Sequence, residues 1–132
     1  MLVFEGLIAE LPDAKARAKY SAYAKVNQWS RAIRQYQINE LLAKHIMDIV
    51  WRKGYSIDVV TFLDERAAGA VESLLEDWAL PVGNVTFSEK SMLARSLNYR
   101  LDVVGVFHPN PSDVLTFGSK GHLVNPQSPL FF

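Results

Sequence analysis

The chain has 132 residues, 49% of them hydrophobic and 21% charged, enough for one core and too apolar for disorder. Fourteen basic and fourteen acidic side chains cancel, so bulk charge marks neither a nucleic-acid binder nor a membrane binder. The absence of cysteine excludes disulfides, thiolate chemistry and cysteine-ligated metal, and fits a reducing cytoplasm.

Leu2-Val3-Phe4 opens like a buried strand, and Pro12-Asp13 breaks the chain before the next element. Residues 13–36, rich in alanine and lysine, read as partly helical without a clean apolar stripe. Ile38, Leu41, Leu42, Ile46, Ile49 and Val50 recur at spacings of three and four, which predicts a helix from Gln37 to Lys53 stopped by Gly54. Ile57 to Leu63 is a β-branched run expected to form an interior strand. Asp64 and Glu65 open a second helix with Ala68, Val71, Leu74, Leu75 and Trp78 on its core face. Val85-Thr86-Phe87 is a third strand, and Ser88 is placed to cap a short helix carrying Met92, Leu93 and Leu97. Leu101 to Phe107 predicts a fourth strand, broken by His108-Pro109-Asn110-Pro111. A helical turn over 112–117 and a last strand, His122-Leu123-Val124, complete the series. Strands alternating with helices at these intervals predict one α/β domain over 1–132, a Rossmann-like three-layer sandwich. Its sheet is mostly parallel, of about five strands, with helices on both faces. The apolar end, Leu130-Phe131-Phe132, is expected to tuck against its own domain or a neighbouring chain.

No run approaches the roughly 20 apolar residues of a membrane helix, and the start lacks the basic residues of a secretory signal. The expectation is a cytoplasmic protein. The neutral total conceals a local imbalance: residues 1–12 carry −2, residues 13–36 carry +5 and residues 37–132 carry −3. The basic stretch interleaves tyrosines 20, 23 and 36 with Trp29. Lys19, Tyr23, Lys25, Trp29, Arg31 and Arg34 are therefore the candidate interaction residues. They suit a protein partner or a second copy of the chain; nucleic acid is a further alternative through phosphate contacts and base stacking.

In open parallel sheets, ligands bind at the carboxyl ends of the strands. That rule selects Glu5 and Gly6 after the first strand, Thr61 to Asp64 at the second, Ser88 and Lys90 after the third, and His108, Asn110 and Asp113 after the fourth. Four of these also have a plainer reading: Thr61 as a β-branched strand residue, Lys90 as a solvated helix residue, Asp113 as a helix start, His108 as a turn residue. The phosphate-loop, G-x-G-x-x-G, H-E-x-x-H and G-x-S-x-G signatures are missing. The G-S-K-G run at 118–121 reads as a turn, and His45 and His122 read as structural.

The order of features resembles the haloacid dehalogenase-like superfamily over nearly the whole chain. Leu2-Val3-Phe4-Glu5-Gly6-Leu7-Ile8-Ala9-Glu10 resembles its first strand and loop, and Thr61 its phosphate-contacting hydroxyl. Lys90 resembles its charge-neutralising lysine, and Val104 to His108 with Ser112-Asp113 its last acidic motif. The resemblance implies that residues 13–36 are a basic helical excursion where a cap would emerge, and that compact domains of this kind are encoded by bacteriophages. In that case the compartment is the host cytoplasm. The resemblance also bears on activity. The family uses two aspartates two residues apart, nucleophile then general acid/base. Here Leu7 stands two residues after Glu5 and Val3 two before it, so neither register supplies both groups. His108 stands where a metal-binding aspartate is expected, and magnesium prefers oxygen ligands. The expectation is a domain without this catalysis and without cofactor or metal, serving as a binding or regulatory protein. The alternative is a magnesium-dependent phosphohydrolase or phosphotransferase using Glu5 and Asp113.

Overall fold

The computed structural model describes residues 1–129, and they form an α/β sandwich. In chain order come β1 (Leu2–Val3), β2 (Ala9–Glu10), α1 (Ala14–Lys25), α2 (Trp29–Ile33) and β3 (Gln37–Ile38). Next are α3 (Glu40–Trp51), β4 (Val59–Thr61), α4 (Ala68–Asp77), β5 (Val85–Phe87) and α5 (Lys90–Ser96). β6 (Val106–His108) and β7 (Gly121–Leu123) close the series, and 3₁₀ turns cover Glu65–Ala67, Pro111–Asp113 and Gly118–Lys120. Five strands make one parallel sheet in the order β5-β4-β1-β6-β7, so the first strand of the chain lies at its centre.

Alternation along the strands divides the core. Leu2, Phe4, Val59 and Phe107 point to one face and pack with Ile33 of α2, with Leu42, Ile46 and Ile49 of α3, and with Val71 and Leu75 of α4. Val3, Val60 and Val106 point to the other and pack with Leu93, Leu97 and Phe117. Both faces of the sheet are covered, which is why its strands read as continuous apolar runs.

Several expectations need correction. Gln37–Ile38 does not start α3; it pairs antiparallel with Ala9–Glu10 in a small second sheet that no apolar spacing announces. Asn39 begins the helix by accepting the Leu42 N–H at 3.1 Å. Leu41, placed on the apolar face by its spacing, is exposed. The run from Leu101 is irregular until Val106, with Leu101 and Val104 on the surface. Ser88 does not cap α5: its hydroxyl donates to the Glu89 carbonyl, and Glu89 is the N-cap residue. Asp113 does not cap its turn either, because the Asn110 side chain accepts the Ser112 N–H at 3.0 Å. The expectation for Leu130-Phe131-Phe132 lies outside the described residues. Among the described residues, no helix is long and apolar enough to cross a membrane.

Candidate functional site

β1 leads into a tight turn in which the Gly6 N–H donates to the Ala9 carbonyl at 2.8 Å. Gly6 has φ of +84°, and a Cβ there would lie 3.1 Å from Pro109 Cγ, so conformation and space both favour glycine. The turn aims Glu5 across the strand ends toward β4. Glu5 Oε2 accepts the Thr61 hydroxyl at 3.0 Å, and Oε1 accepts the Phe62 N–H at 2.7 Å. Thr61 Oγ1 in turn accepts the Leu63 N–H at 3.2 Å. Thr61 is fully buried and thus links two loops in addition to filling its strand position. Burial raises the Glu5 carboxyl above the usual carboxylate range; the Phe62 amide, the Thr61 hydroxyl and the Lys90 charge oppose that rise.

The opposite wall comes from α5 and the turn after β6. Lys90 Nζ lies 2.9 Å from Asp113 Oδ2 and 3.2 Å from Oδ1. The ammonium also sits 5.4 Å from the centre of the Phe62 ring, which stacks on Phe117 at 6.0 Å and 18°. His108 is the last residue of β6 and only 1% exposed, not an open turn residue. Both of its ring nitrogens are buried without a hydrogen-bond partner, and the ring leans on Phe117 at 5.4 Å. Burial lowers its pKa below the usual imidazole value, and the Asp113 charge opposes that shift.

The structure therefore brings Glu5, Thr61, Lys90 and Asp113 together from four strand ends. A cavity of about 400 Å³ lies between them, lined by Glu5, Phe62, Lys90, His108, Asn110 and Asp113. The strand-end rule reached Phe62, but neither the part its ring plays beside Lys90 nor the burial of His108 was visible in the sequence. Phe62 sat inside a run that already read as a strand, and burial after Phe107 was masked by the two prolines. A second cavity, about 320 Å³, opens at the opposite ends of the strands between Leu2, Ile49, Tyr55, Asp58, Asp102 and Gly105. It is the better enclosed of the two, but the hydrogen-bonded groups converge on the first, where the rule for parallel sheets places ligands.

Glu5 and Asp113, the residues of the magnesium alternative, are both engaged with other groups of the chain. A hard cation needs several free oxygen ligands, but the Asp113 carboxylate already holds an ammonium and the Glu5 carboxylate already accepts two hydrogen bonds. Among the described residues, no group of three or more His, Asp or Glu side chains is placed to hold a metal ion.

The basic stretch divides between inside and outside. Tyr36 is buried with its ring 5.0 Å from that of Phe4, and Tyr20 packs edge-on against Tyr36 at 5.7 Å. Burial raises the pKa of both phenols. Trp29 packs against the core under the Arg66 guanidinium, 5.6 Å from the ring centre. Arg34 pairs with Asp77 at 2.8 Å. Tyr23 is half-buried, whereas Lys19, Lys25 and Arg31 remain at the surface. The aromatic rings, expected as stacking platforms, mostly anchor the stretch to the core.

No protein-family profile, curated protein or solved structure matches the chain.

Proposed function

We propose that the chain is a haloacid dehalogenase-like domain without phosphoryl-transfer chemistry, acting as a binding protein through the surface of residues 13–36. One observation carries the reading. The only carboxylate in the loop after β1 is occupied as an acceptor for the Thr61 hydroxyl and the Phe62 amide. A nucleophile needs a free, closely aligned oxygen. Two residues further on, where a general acid/base would stand, is the buried side chain of Leu7. The central place of β1 and the convergence of Glu5, Thr61, Lys90 and Asp113 support the family resemblance.

The binding role is supported by α1. It buries only Ala16, and its lysines and Arg17 face solvent. Tyr20 anchors the helix to the core, while the lysines and Arg17 leave a cationic face of the helix open to solvent.

The test has two arms. With purified protein and magnesium, a generic aryl phosphate should show no hydrolysis above a buffer blank. Hydrolysis that is abolished in Glu5→Gln would establish the phosphohydrolase alternative instead. In the second arm, partner retention from the native host should be lost when Lys19 and Arg31 are reversed to glutamate. Retention unchanged by that reversal would reject the assigned surface.

A further inference from the structure

α1 and α4 each expose small residues at four-residue spacing, and the charged residues beside them are of opposite sign. On α1, Ala14, Ala18 and Ala22 recur every four residues and are all exposed, with Lys15, Lys19 and Lys25 beside them. On α4, Gly69 and Ser73 are likewise four apart and exposed, with Glu72 and Glu76 beside them. Small residues at this spacing let two helix backbones approach closely, and long side chains on the flanks then meet at the rim.

Among the described residues, none of these three lysines and neither glutamate takes part in an ion pair. α2 touches both helices, and among the described residues no ion pair joins α1 to α4 within the chain. Arg34, just after α2, pairs with Asp77 at the end of α4 and fixes this arrangement. A surface with a cationic ridge on one side of α2 and an anionic ridge on the other is complementary to its own copy turned through a half-rotation about an axis near α2. Each ridge then meets its opposite, twice per pair.

We infer that the chain forms a two-fold dimer in which α1 of each copy lies on α4 of the other. This inference rests on the reading of residues 13–36 as an interaction surface, and names a second copy as the occupant. Charge complementarity decides between occupants. An acidic partner of another kind would use the lysines of α1 and leave Glu72 and Glu76 repelling it. A second copy uses both ridges.

The experiment uses the full-length purified protein in sedimentation velocity. Wild type should be dimeric at about 100 µM protein, a concentration that populates even a micromolar complex. The dissociation constant should rise at least about tenfold between roughly 50 and 500 mM salt, since exposed charge pairs are screened. Two charge-reversed variants make the test specific, one Lys19→Glu with Lys25→Glu, the other Glu72→Lys with Glu76→Lys. All four positions are exposed, so both variants should retain the wild-type thermal midpoint within a few degrees. Each alone should be monomeric, because both of its contacts pair like charges. An equimolar mixture should dimerise again, because both contacts then pair opposite charges.

A monomeric wild type at low salt overturns the dimer, as do variants that dimerise alone or a mixture that stays monomeric. None of these outcomes bears on the hydrolysis assay. A monomeric wild type that still retains a host protein through Lys19 and Arg31 would overturn the dimer while leaving the binding function standing with a different occupant.

Discussion

His108 and Glu5 are both ionisable and both buried, but their surroundings treat charge differently. Glu5 has two donors for its oxygens, so replacing it by alanine leaves the Thr61 hydroxyl and the Phe62 N–H without their acceptor. His108 has no hydrogen-bond partner for either nitrogen, so its neutral form already carries an unmet polar cost and its charged form a larger one. The folded-state pKa of His108 lies below the ordinary 6.5, so folding opposes proton uptake. The resulting loss of stability is absent well above that value and grows as pH falls through it. Glu5 acts in the other direction: its raised pKa means the folded state gains stability as pH falls toward 4.5. A His108→Leu variant isolates the first effect. At neutral pH it should match wild type or exceed it by up to about 1 kcal/mol, since two unsatisfied buried atoms are removed. Below about pH 6.5 it should lose less stability than wild type. Urea midpoints measured between pH 7 and pH 5, in steps of about half a unit, check this. Parallel acid limbs for the two proteins would reject it. The strand-end rule picked out residues that the fold brings together. It did not supply their pairing, because whether Lys90 reaches Asp113 or Glu5 depends on how far α5 leans over the sheet.

Among the elements, α3 is tied in place by its cap. The Asn39 side chain accepts the Leu42 N–H at 3.1 Å, and its amide donates to the Pro126 carbonyl at 2.7 Å and the Leu7 carbonyl at 3.4 Å. One residue thereby joins the loop after β1, the helix and the segment that follows β7. Asn39→Ala should cost about 2–3 kcal/mol, beyond the roughly 1 kcal/mol of an ordinary cap. Asp13→Ala removes only the cap bond of α1, from the Ala16 N–H, and is the comparison. Equal losses in chemical denaturation would show that the two carbonyl contacts add nothing. Element type was legible wherever apolar spacing ran long enough, as in α3 and α4. The β2–β3 pair was not, since two-residue strands offer no period to count, and Gln37 and Ile38 continue the helical spacing of the residues after them. Leu101 and Val104 misled in the other direction. Their apolar character suggested a strand, yet the ladder with β7 begins only at Val106.

For the molecule as a whole, the alternation of strands and helices was enough to read a parallel sheet covered on both faces. The neighbours of each strand were not readable, because several orders satisfy the same alternation. The order adopted places β1 in the middle, and this has a consequence for how the chain comes together in time. The N–H of Leu2 donates to the Asp58 carbonyl and that of Phe4 to the Val60 carbonyl, while the Met1 carbonyl accepts the Phe107 N–H. Nearly half the chain must be synthesised before β1 has its first neighbour, and four-fifths before it has its second. Pairings between such distant segments pay loop closure before any contact rewards them, which slows their formation. A fragment ending at Ile57 should therefore show unprotected Leu2 and Phe4 amides in hydrogen exchange, whatever helix it forms in α1 or α3. Protection of those two amides in the fragment would contradict this. Of the interior strands of this sheet β1 waits longest between its own synthesis and that of its second neighbour, and until then its apolar run of Leu2, Val3 and Phe4 is open to chaperones and to mispairing.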